Sequence, residues 1–520
     1  MAEQPARLAS APGIKRDSTR FDNEHYVDGR WCRFQRGFPK KMGGYQQVTD
    51  TLPDVTRGMH SFSADNIQYL HIGQPNTIGQ YQVSNGTLNL FTDRTPVGFI
   101  TGVNNLWQFD IMADTAGTGN HLLVAHAPPN GMDIDNMTGA DIYIDTIDAT
   151  TVLSTTGLNT DPSTGWNTGT LGNLSGGVVV SGVYLFGYGS NGIIRQSLVN
   201  NVNGIPIEFN LGTQKIVKGM PLRGAGTGPA VLMWALDSVI RGTFITGGPP
   251  DFAFDIIARG TTIMSSQSVI EMDGVYYWPG IDRFLMFNGV VRELPNNMNQ
   301  NWFFDNINFR QRQKCFGMKI PRYSELWWCY PRGNATECTH AIIFNVRENT
   351  WYDTALPDSD DVNQGRTAGI YADVYQRPFM CDNEVGSAGR TLWQHETAFD
   401  KIRSSQISSI QSFFETHEFS LLDQNVSDKS LRVARIEPDL VQVGDMTLQV
   451  RGRANAKATV QDGAIETIFE SPSTPDEETV KFKEVKRLMS FKFESNVGSG
   501  NYELGKTYAH IEPADGRVES

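Results

Sequence analysis

The sequence predicts an all-β chain: a β-propeller of about six to eight blades, an N-terminal arm before it, and a C-terminal antiparallel β-sandwich or small barrel. Three observations lead there. Residues 269–294 (VIEMDGVYYWPGIDRFLMFNGVVREL) hold apolar runs at 275–278, 284–287 and 290–291, separated by Asp273-Gly274, Pro279-Gly280 and Asn288-Gly289. The runs are β-branched and aromatic, and Asp-Gly and Asn-Gly accept positive φ at the centre of tight turns, so the stretch reads as an antiparallel meander. A weaker copy lies at residues 180–197. There Gly182-Val183-Tyr184 matches Gly274-Val275-Tyr276 at an offset of 92, and Gly192-Ile193-Ile194-Arg195 matches Gly289-Val290-Val291-Arg292 at an offset of 97. If the first offset spans two units, each is about 46 residues, near the roughly 40–50 of a four-stranded blade. Thirdly, residues 413–460 alternate apolar and polar side chains with period two, as in Leu431, Val433 and Ile436, or Met446, Leu448 and Val450. That is the pattern of a sheet with one buried face.

Taken in order, residues 1–57 read as an arm. Pro5, Pro12 and Gly13 interrupt its start, and an Asp28-Gly29 turn sits beside alternating aromatic and basic residues, Tyr26 to Phe34. The arm is expected to be separable, so that a chain lacking residues 1–50 still folds. Residues 58–400 read as strand, turn, strand. A first unit covers 59–62, 67–72, 78–83 and 88–91, with Asn85-Gly86 in its last turn, and a second covers 106–111, 122–125 and 142–144. The Gly/Ser/Thr/Asn-rich stretch 157–177 reads as a long loop. The copy at Val180 is the third unit, 230–235 with 242–257 the fourth, and the opening stretch the fifth. A sixth pairs 326–330 with 341–346 and closes on Trp351-Tyr352; a seventh covers 370–380 and 390–394. A short helix is expected only within 297–312. Residues 401–520 form the separate C-terminal β domain.

The 520 residues are 39% hydrophobic and 19% charged with 51 Gly, a globular, turn-rich composition that excludes disorder and long helices. No stretch approaches 18 consecutive apolar residues, so no membrane-spanning helix is expected. Residues 1–20 carry no apolar core of a secretory signal. Five cysteines, Cys32, Cys315, Cys329, Cys338 and Cys381, form no CxxC pair; they read as buried thiols of a protein made in a reducing compartment. The formal charge is −13, yet residues 1–57 carry ten basic against seven acidic side chains, a net of +3, which leaves −16 for the remainder. Within the arm, Arg30, Arg33, Arg36, Lys40 and Lys41 are the candidate partner-contact residues. Five cations in a dozen positions fit a solvated face, an acidic protein partner, or phosphate.

No catalytic, cofactor-binding or metal site is expected. Residues 500–507 fit GxxxxGK[ST], but the segment after them reads as a strand ending at Pro513, whereas a phosphate loop opens a helix. The nine histidines form no HExxH or close acid cluster. Asp358-Ser359-Asp360-Asp361 lacks the Gly and distal Glu of a calcium loop. Ser163-Thr164-Gly165-Trp166 hints at an aspartate-box turn without an aspartate at the required place. Carboxylates are plentiful, but none is singled out as a pair for glycoside hydrolysis. Trp278, Trp327-Trp328 and Trp351-Tyr352 are core aromatics, or stacking platforms for sugars.

The run Gly13-Ile14-Lys15-Arg16-Asp17, then Tyr26 to Phe34 (YVDGRWCRF) and Gly37 to Tyr45 (GFPKKMGGY), resembles the opening of phage structural proteins. The chain resembles the tail hub or nozzle proteins of short-tailed phages, the packaged-DNA stabilisation family. The placement of residues 274–289 and 343–351 is similar to that family's propeller strands. The resemblance implies a non-enzymatic virion protein of the tail, made in the host bacterial cytoplasm. Six copies would form a tube below the portal and adaptor ring, contact tail fibre or spike proteins, and hold and then conduct double-stranded DNA without sequence-specific binding. An acidic body suits that conduit, because each cation–phosphate contact would slow a sliding duplex. The rival expectations are a propeller that binds or cleaves glycans during receptor recognition, and a generic propeller scaffold.

Overall fold

The computed structural model describes residues 4–64, 66–84, 87–97, 102, 105–113, 121–127, 142–154, 158–159, 161, 163–166, 174–224, 228–357, 364–384, 390–420, 430–474 and 477–514. The Asn85-Gly86 turn, the Asp358–Asp361 turn and most of the 157–177 loop lie outside them. The chain is nearly all β. Among the described residues seven sheets, antiparallel but for one parallel pairing in the seventh, follow one another along it. The first comprises Gly58–Ala64, Ile67–Gly73, Ile78–Ser84 and Thr87–Asp93, and the second Gln108–Ala113, His121–His126 and Ile142–Thr146. The third holds Gly177–Ser181, Tyr184–Tyr188, Ile193–Gln196 and Ile207–Asn210; the fourth holds Ile216–Pro221, Ala230–Ala235, Ser238–Phe244 and Phe252–Arg259. The fifth holds Ile270–Met272, Val275–Pro279, Phe284–Phe287 and Val291–Glu293; the sixth holds Phe316–Ile320, Glu325–Tyr330, His340–Asn345 and Thr350–Ala355.

The fifth sheet is the meander expected at 269–294, and its first hairpin has the predicted turn chemistry. Asp273 (φ 53°) and Gly274 (φ 79°) both sit in the left-handed region, which only a residue such as Asp, Asn or Gly enters without strain. The copy at Val180 is the third sheet, so one sheet separates the two. Only the first half of the match is structurally equivalent. Ile193 opens the third strand of its sheet and corresponds to Phe284, 91 residues on, whereas Val291 opens a fourth strand. The second offset therefore aligned different strands.

Each sheet buries one face against the next through large apolar side chains. Val124 and Ile144 of the second sheet pack with Val178 and Leu185 of the third, and Phe186 and Ile194 with Val231 and Met233 of the fourth. Trp234 meets Tyr276 and Trp278, Phe284 meets Trp328 and Ile342, and Trp327 meets Met380 and Trp393. Phe379 and Leu392 of the seventh sheet then pack on Leu70 and Ile72 of the first, and Trp107 joins the first to the second. The packing order is thus cyclic.

The seventh sheet runs Arg366–Ala372, Arg377–Asp382, Arg390–His395, then Tyr45–Leu52, with Asp400–Arg403 and Gln406–Ser409 beyond it. Its fourth strand comes from the other end of the chain. The residues before it are not an appendage. Cys32–Gln35 and Phe38–Lys41 extend the sheet built on Ser430–Val443 and Asn501–Ala514, and Gln4–Leu8 adds to Asn501–Ala514. Asp28–Arg30 pairs with Ser412–Glu415 at the edge of the sheet built on Met446–Arg453 and Leu488–Ser495. These two C-terminal sheets share a core of Leu431, Val433, Tyr502, Leu448, Phe491 and Phe493, which Trp31, Phe34 and Tyr26 join without a break to Trp327 and Trp393. Of the formal phosphate-loop match at 500–507, all but Gly500 lies in the strand Asn501–Ala514 with Tyr502 and Leu504 buried, so no helix terminus faces a ligand there. The expected short helix is Gln300–Asn306.

Because strands between Gln4 and Leu52 complete three sheets and their side chains enter the core, a chain lacking residues 1–50 is expected to be insoluble or to lose cooperative unfolding, contrary to the expectation of a separable arm. A soluble truncation with a single sharp thermal transition would refute this. The milder substitution Trp31→Ala should cost about 3–5 kcal/mol in urea unfolding.

Candidate partner-contact site

The five cations singled out in the sequence do not form one face. Arg33 is fully buried: Nε lies 3.0 Å from Glu325 Oε1, and Nη2 lies 2.5 Å from Glu396 Oε1. Its guanidinium also sits 3.7 Å over the ring of Tyr323. Glu325, on the sixth sheet, accepts further hydrogen bonds from Tyr352 Oη at 2.7 Å and Trp327 Nε1 at 2.8 Å. Burial alone would depress the Arg33 guanidinium, but the two carboxylates outweigh it and hold it above the ordinary arginine range. Burial also pushes the Glu325 carboxyl up, against the pull of Arg33. We take the pair as charged, since Glu325 accepts three donors.

Lys41 is buried with no hydrogen bond to its Nζ, and burial pushes its ammonium down to about 8 against the pull of Asp400. Arg36 and Lys40 reach the surface and share Glu503, at 3.1 and 3.0 Å. Arg36 is the most open of the five, its side chain 81% exposed. Arg30 is half-buried, its Nη1 3.5 Å from Gln411 Oε1.

The charge reversal along the chain is resolved inside the molecule. Arg16 pairs with Asp353 at 3.0 Å, Arg20 with Glu415 at 2.8 Å, and Arg57 with Glu337 at 2.8 Å, where Lys314 also binds at 2.8 Å. With Arg33, Arg36 and Lys40, these cations of the first 57 residues each meet a carboxylate from beyond residue 300. Asp17 adds the converse contact, accepting from Asn301 N at 2.7 Å and Trp302 N at 2.8 Å and so capping the helix Gln300–Asn306. The basic segment clasps an acidic neighbour, and that neighbour is its own chain. None of Glu325, Glu337, Glu396, Glu415 or Glu503 carries a local sequence signal; only the opposed net charges of the two segments hint at the pairing.

Other ionisable groups are held as core. Burial pushes His60 and His126 down to about 4 and His340 to about 3, the last with help from Arg332, Arg16 and Arg30. His71 and His395 lie well below the ordinary imidazole range for the same first reason, aided by His60 and Arg366 respectively. All five thiols are buried and pushed up. These five imidazoles and the thiols are therefore neutral at pH 7. Among the described residues, no three His, Cys, Asp or Glu side chains are grouped to hold a metal ion, and no helix is long and apolar enough to cross a membrane. At the box-like turn the Asp161 carboxylate accepts from Ser163 N at 2.7 Å and Thr164 N at 3.1 Å, an Asx turn, while Trp166 packs into the core.

With this geometry in hand, comparison with known proteins adds no kinship: no protein-family model matches the chain, and a search of curated proteins finds no match.

Two measurements check this account. Arg33→Ala strands a buried carboxylate and should cost about 3–5 kcal/mol, whereas Arg36→Ala should stay within about 1 kcal/mol; equal effects in chemical unfolding would contradict it. The histidines have folded-state values below the unfolded 6.5, so their contribution is full above about pH 6.5 and is lost as pH falls toward 4. Asp110, pushed up to about 6 by burial, and the carboxyls of Glu325 and Asp382, raised by the same cause, run the other way, against the five imidazoles. The urea midpoint should fall between pH 6.5 and 4, and His126→Gln should flatten that fall.

Proposed function

We propose that this chain is a structural virion protein, one of six copies forming the tail nozzle of a short-tailed phage. In this reading the seven cyclically packed sheets are the blades of a propeller, and the two C-terminal sheets a β-sandwich completed by N-terminal strands. The nozzle sits below the portal and adaptor ring, carries tail fibre or spike proteins, retains the packaged genome and conducts it at ejection. The observation that carries the proposal is the double anchoring of residues 4–52. Their strands complete both C-terminal sheets and the seventh sheet, and buried ion pairs tie them to the sixth. A wall that resists packaged DNA needs its parts joined in this way, because a flexible linker between two bodies yields at low force while a shared core does not.

A second contact bears on where the duplex runs. Gln267 Nε2 donates to Arg57 O at 2.7 Å and reaches Trp107 O at 3.5 Å, linking the approach to the fifth sheet with the entries to the first and second. Gln108 Nε2 likewise donates to Gly176 O at 2.6 Å, at the entry to the third. In this reading the contacts of Gln267 tie non-neighbouring blades together at their entries, which supports a conduit between copies rather than along the axis of one propeller. An overall charge of −13 suits its wall, since few phosphates would be held.

The test is stoichiometry in the native source. DNA-filled particles banded on a density gradient, with the chain quantified by mass spectrometry, should contain six copies for each twelve-copy portal. Absence of the chain from such particles would overturn the proposal.

A further inference from the structure

The strand Ser430–Val443 is paired along its whole length on one side, from Ser430↔Ala514 to Val443↔Asn501. On its other side it is paired only over its first half, where Leu431↔Lys486 to Ile436↔Val480 join it to Val480–Lys486. Before Val480 the chain swings away from the sheet. Among the described residues no strand pairs with that edge from Glu437 to Val443. An unpaired edge presents backbone donors and acceptors to any extended chain of suitable sequence.

The vacated position is a slot rather than an open face. A cavity of about 490 Å³ lies between this edge and residues at 468–472 and 477–480, with Leu440, Val441 and Phe469 among its walls. Val441 is 74% exposed and Phe469 42%, high values for apolar side chains facing each other across a gap. Among the described residues the charged walls are all of one sign: Glu470, Glu477 and Glu478 line the slot and no lysine or arginine does. Glu477 Oε2 is engaged by Ser473 N at 2.6 Å and so is fixed in place.

We propose that this slot accepts an added β-strand from a partner protein: an extended segment that alternates apolar with basic residues. The backbone would continue the ladder that Val480–Lys486 leaves unfinished, the apolar side chains would cover Val441 and Phe469, and Lys or Arg would meet Glu470 and Glu478. Main-chain hydrogen bonds supply affinity in this mode, and side chains the choice of partner. Pro438, which has no N–H to offer, follows the last existing pair at Ile436, so the added strand would pair along the stretch beyond it, up to Val443. The inference uses only the C-terminal sheets and does not depend on the tail assignment.

The test uses the full chain and a fluorescein-labelled seven-residue peptide of alternating valine and lysine, read by anisotropy at low and high salt. Binding is expected, weakening as salt rises, and about tenfold weaker for the charge-reversed pair Glu470→Lys with Glu478→Lys. The same peptide N-methylated at alternate residues keeps its charge but cannot form the ladder, and it should not bind. No binding by the parent peptide would overturn the proposal. So would equal binding by the methylated peptide, or affinity unchanged by charge reversal, since either means a diffuse electrostatic contact. Val441→Lys is a second variant on an exposed position that leaves the fold intact, and it too should abolish binding.

Discussion

The pairing of Tyr45–Leu52 with Arg390–His395 is the contact on which the rest of the structure depends. Sheets packed face to face in a cycle leave two ends, and unless those ends are joined each exposes a hydrophobic face and an open strand edge. Here the join is made within one sheet: three strands come from residues 366–395 and the fourth from residues 45–52. A strand exchanged in this way cannot leave without undoing its ladder and the packing of Leu52 against Leu70 and Leu392. The parallel strand Asp400–Arg403 lies on its other side, at Lys401↔Tyr45 and Ile402↔Gln46, so the strand is enclosed between neighbours.

Placing residues 45–52 there fixes the path of what precedes them. The chain must enter from the C-terminal sheets, and it does so through Trp31, whose indole Nε1 donates to Gly43 O at 3.1 Å and whose ring meets Tyr45, Trp327 and His395. Trp31 adopts φ 53°, an uncommon angle for a bulky residue, held by burial on every side. Two residues on, Arg33 enters the same core. A guanidinium so placed would be costly alone, and it is tolerated because a carboxylate from the sixth sheet and one just after the strand Arg390–His395 converge on it. Packing brings Glu325 and Glu396 to one point, and the ion pair then makes that arrangement specific, since any other docking of the three segments leaves a buried charge unmatched.

Most of the secondary structure was legible in the sequence, because short strands with Asp-Gly, Asn-Gly and Pro-Gly turns are specified locally. The hairpin at Asp273-Gly274 is the clearest case, and the units read at residues 59–91, 106–144 and 326–352 correspond to the first, second and sixth sheets. The tertiary role of residues 1–57 was not legible. Their Pro and Gly residues, short apolar runs and basic excess read as an arm, yet those features also suit strands that add singly to sheets built elsewhere. Strand addition leaves no periodic mark of its own, since the alternation of a four-residue strand such as Cys32–Gln35 is too brief to show which sheet receives it. The candidate site failed for a related reason. Arg33 and Lys41 look like surface residues from composition, and the partners that settle Arg33's fate lie 292 and 363 residues away.

The net charges of the two segments held more information than either sequence pattern. A +3 segment followed by a −16 remainder admits an external acidic partner or an internal one, and the two differ in what they demand of geometry. An external partner requires the cations to share an accessible face. An internal one requires them to be scattered, each opposite its own carboxylate, and to be sheltered from salt. The observed pairs are scattered: Arg16 on Asp353, Arg20 on Glu415, Arg33 on Glu325 and Glu396, Arg57 on Glu337. Several are buried where screening is weak. The basic excess of the first 57 residues thus acts as a set of addresses that direct the segment to its places in the fold, and the negative surplus of the remainder is what the molecule presents outward.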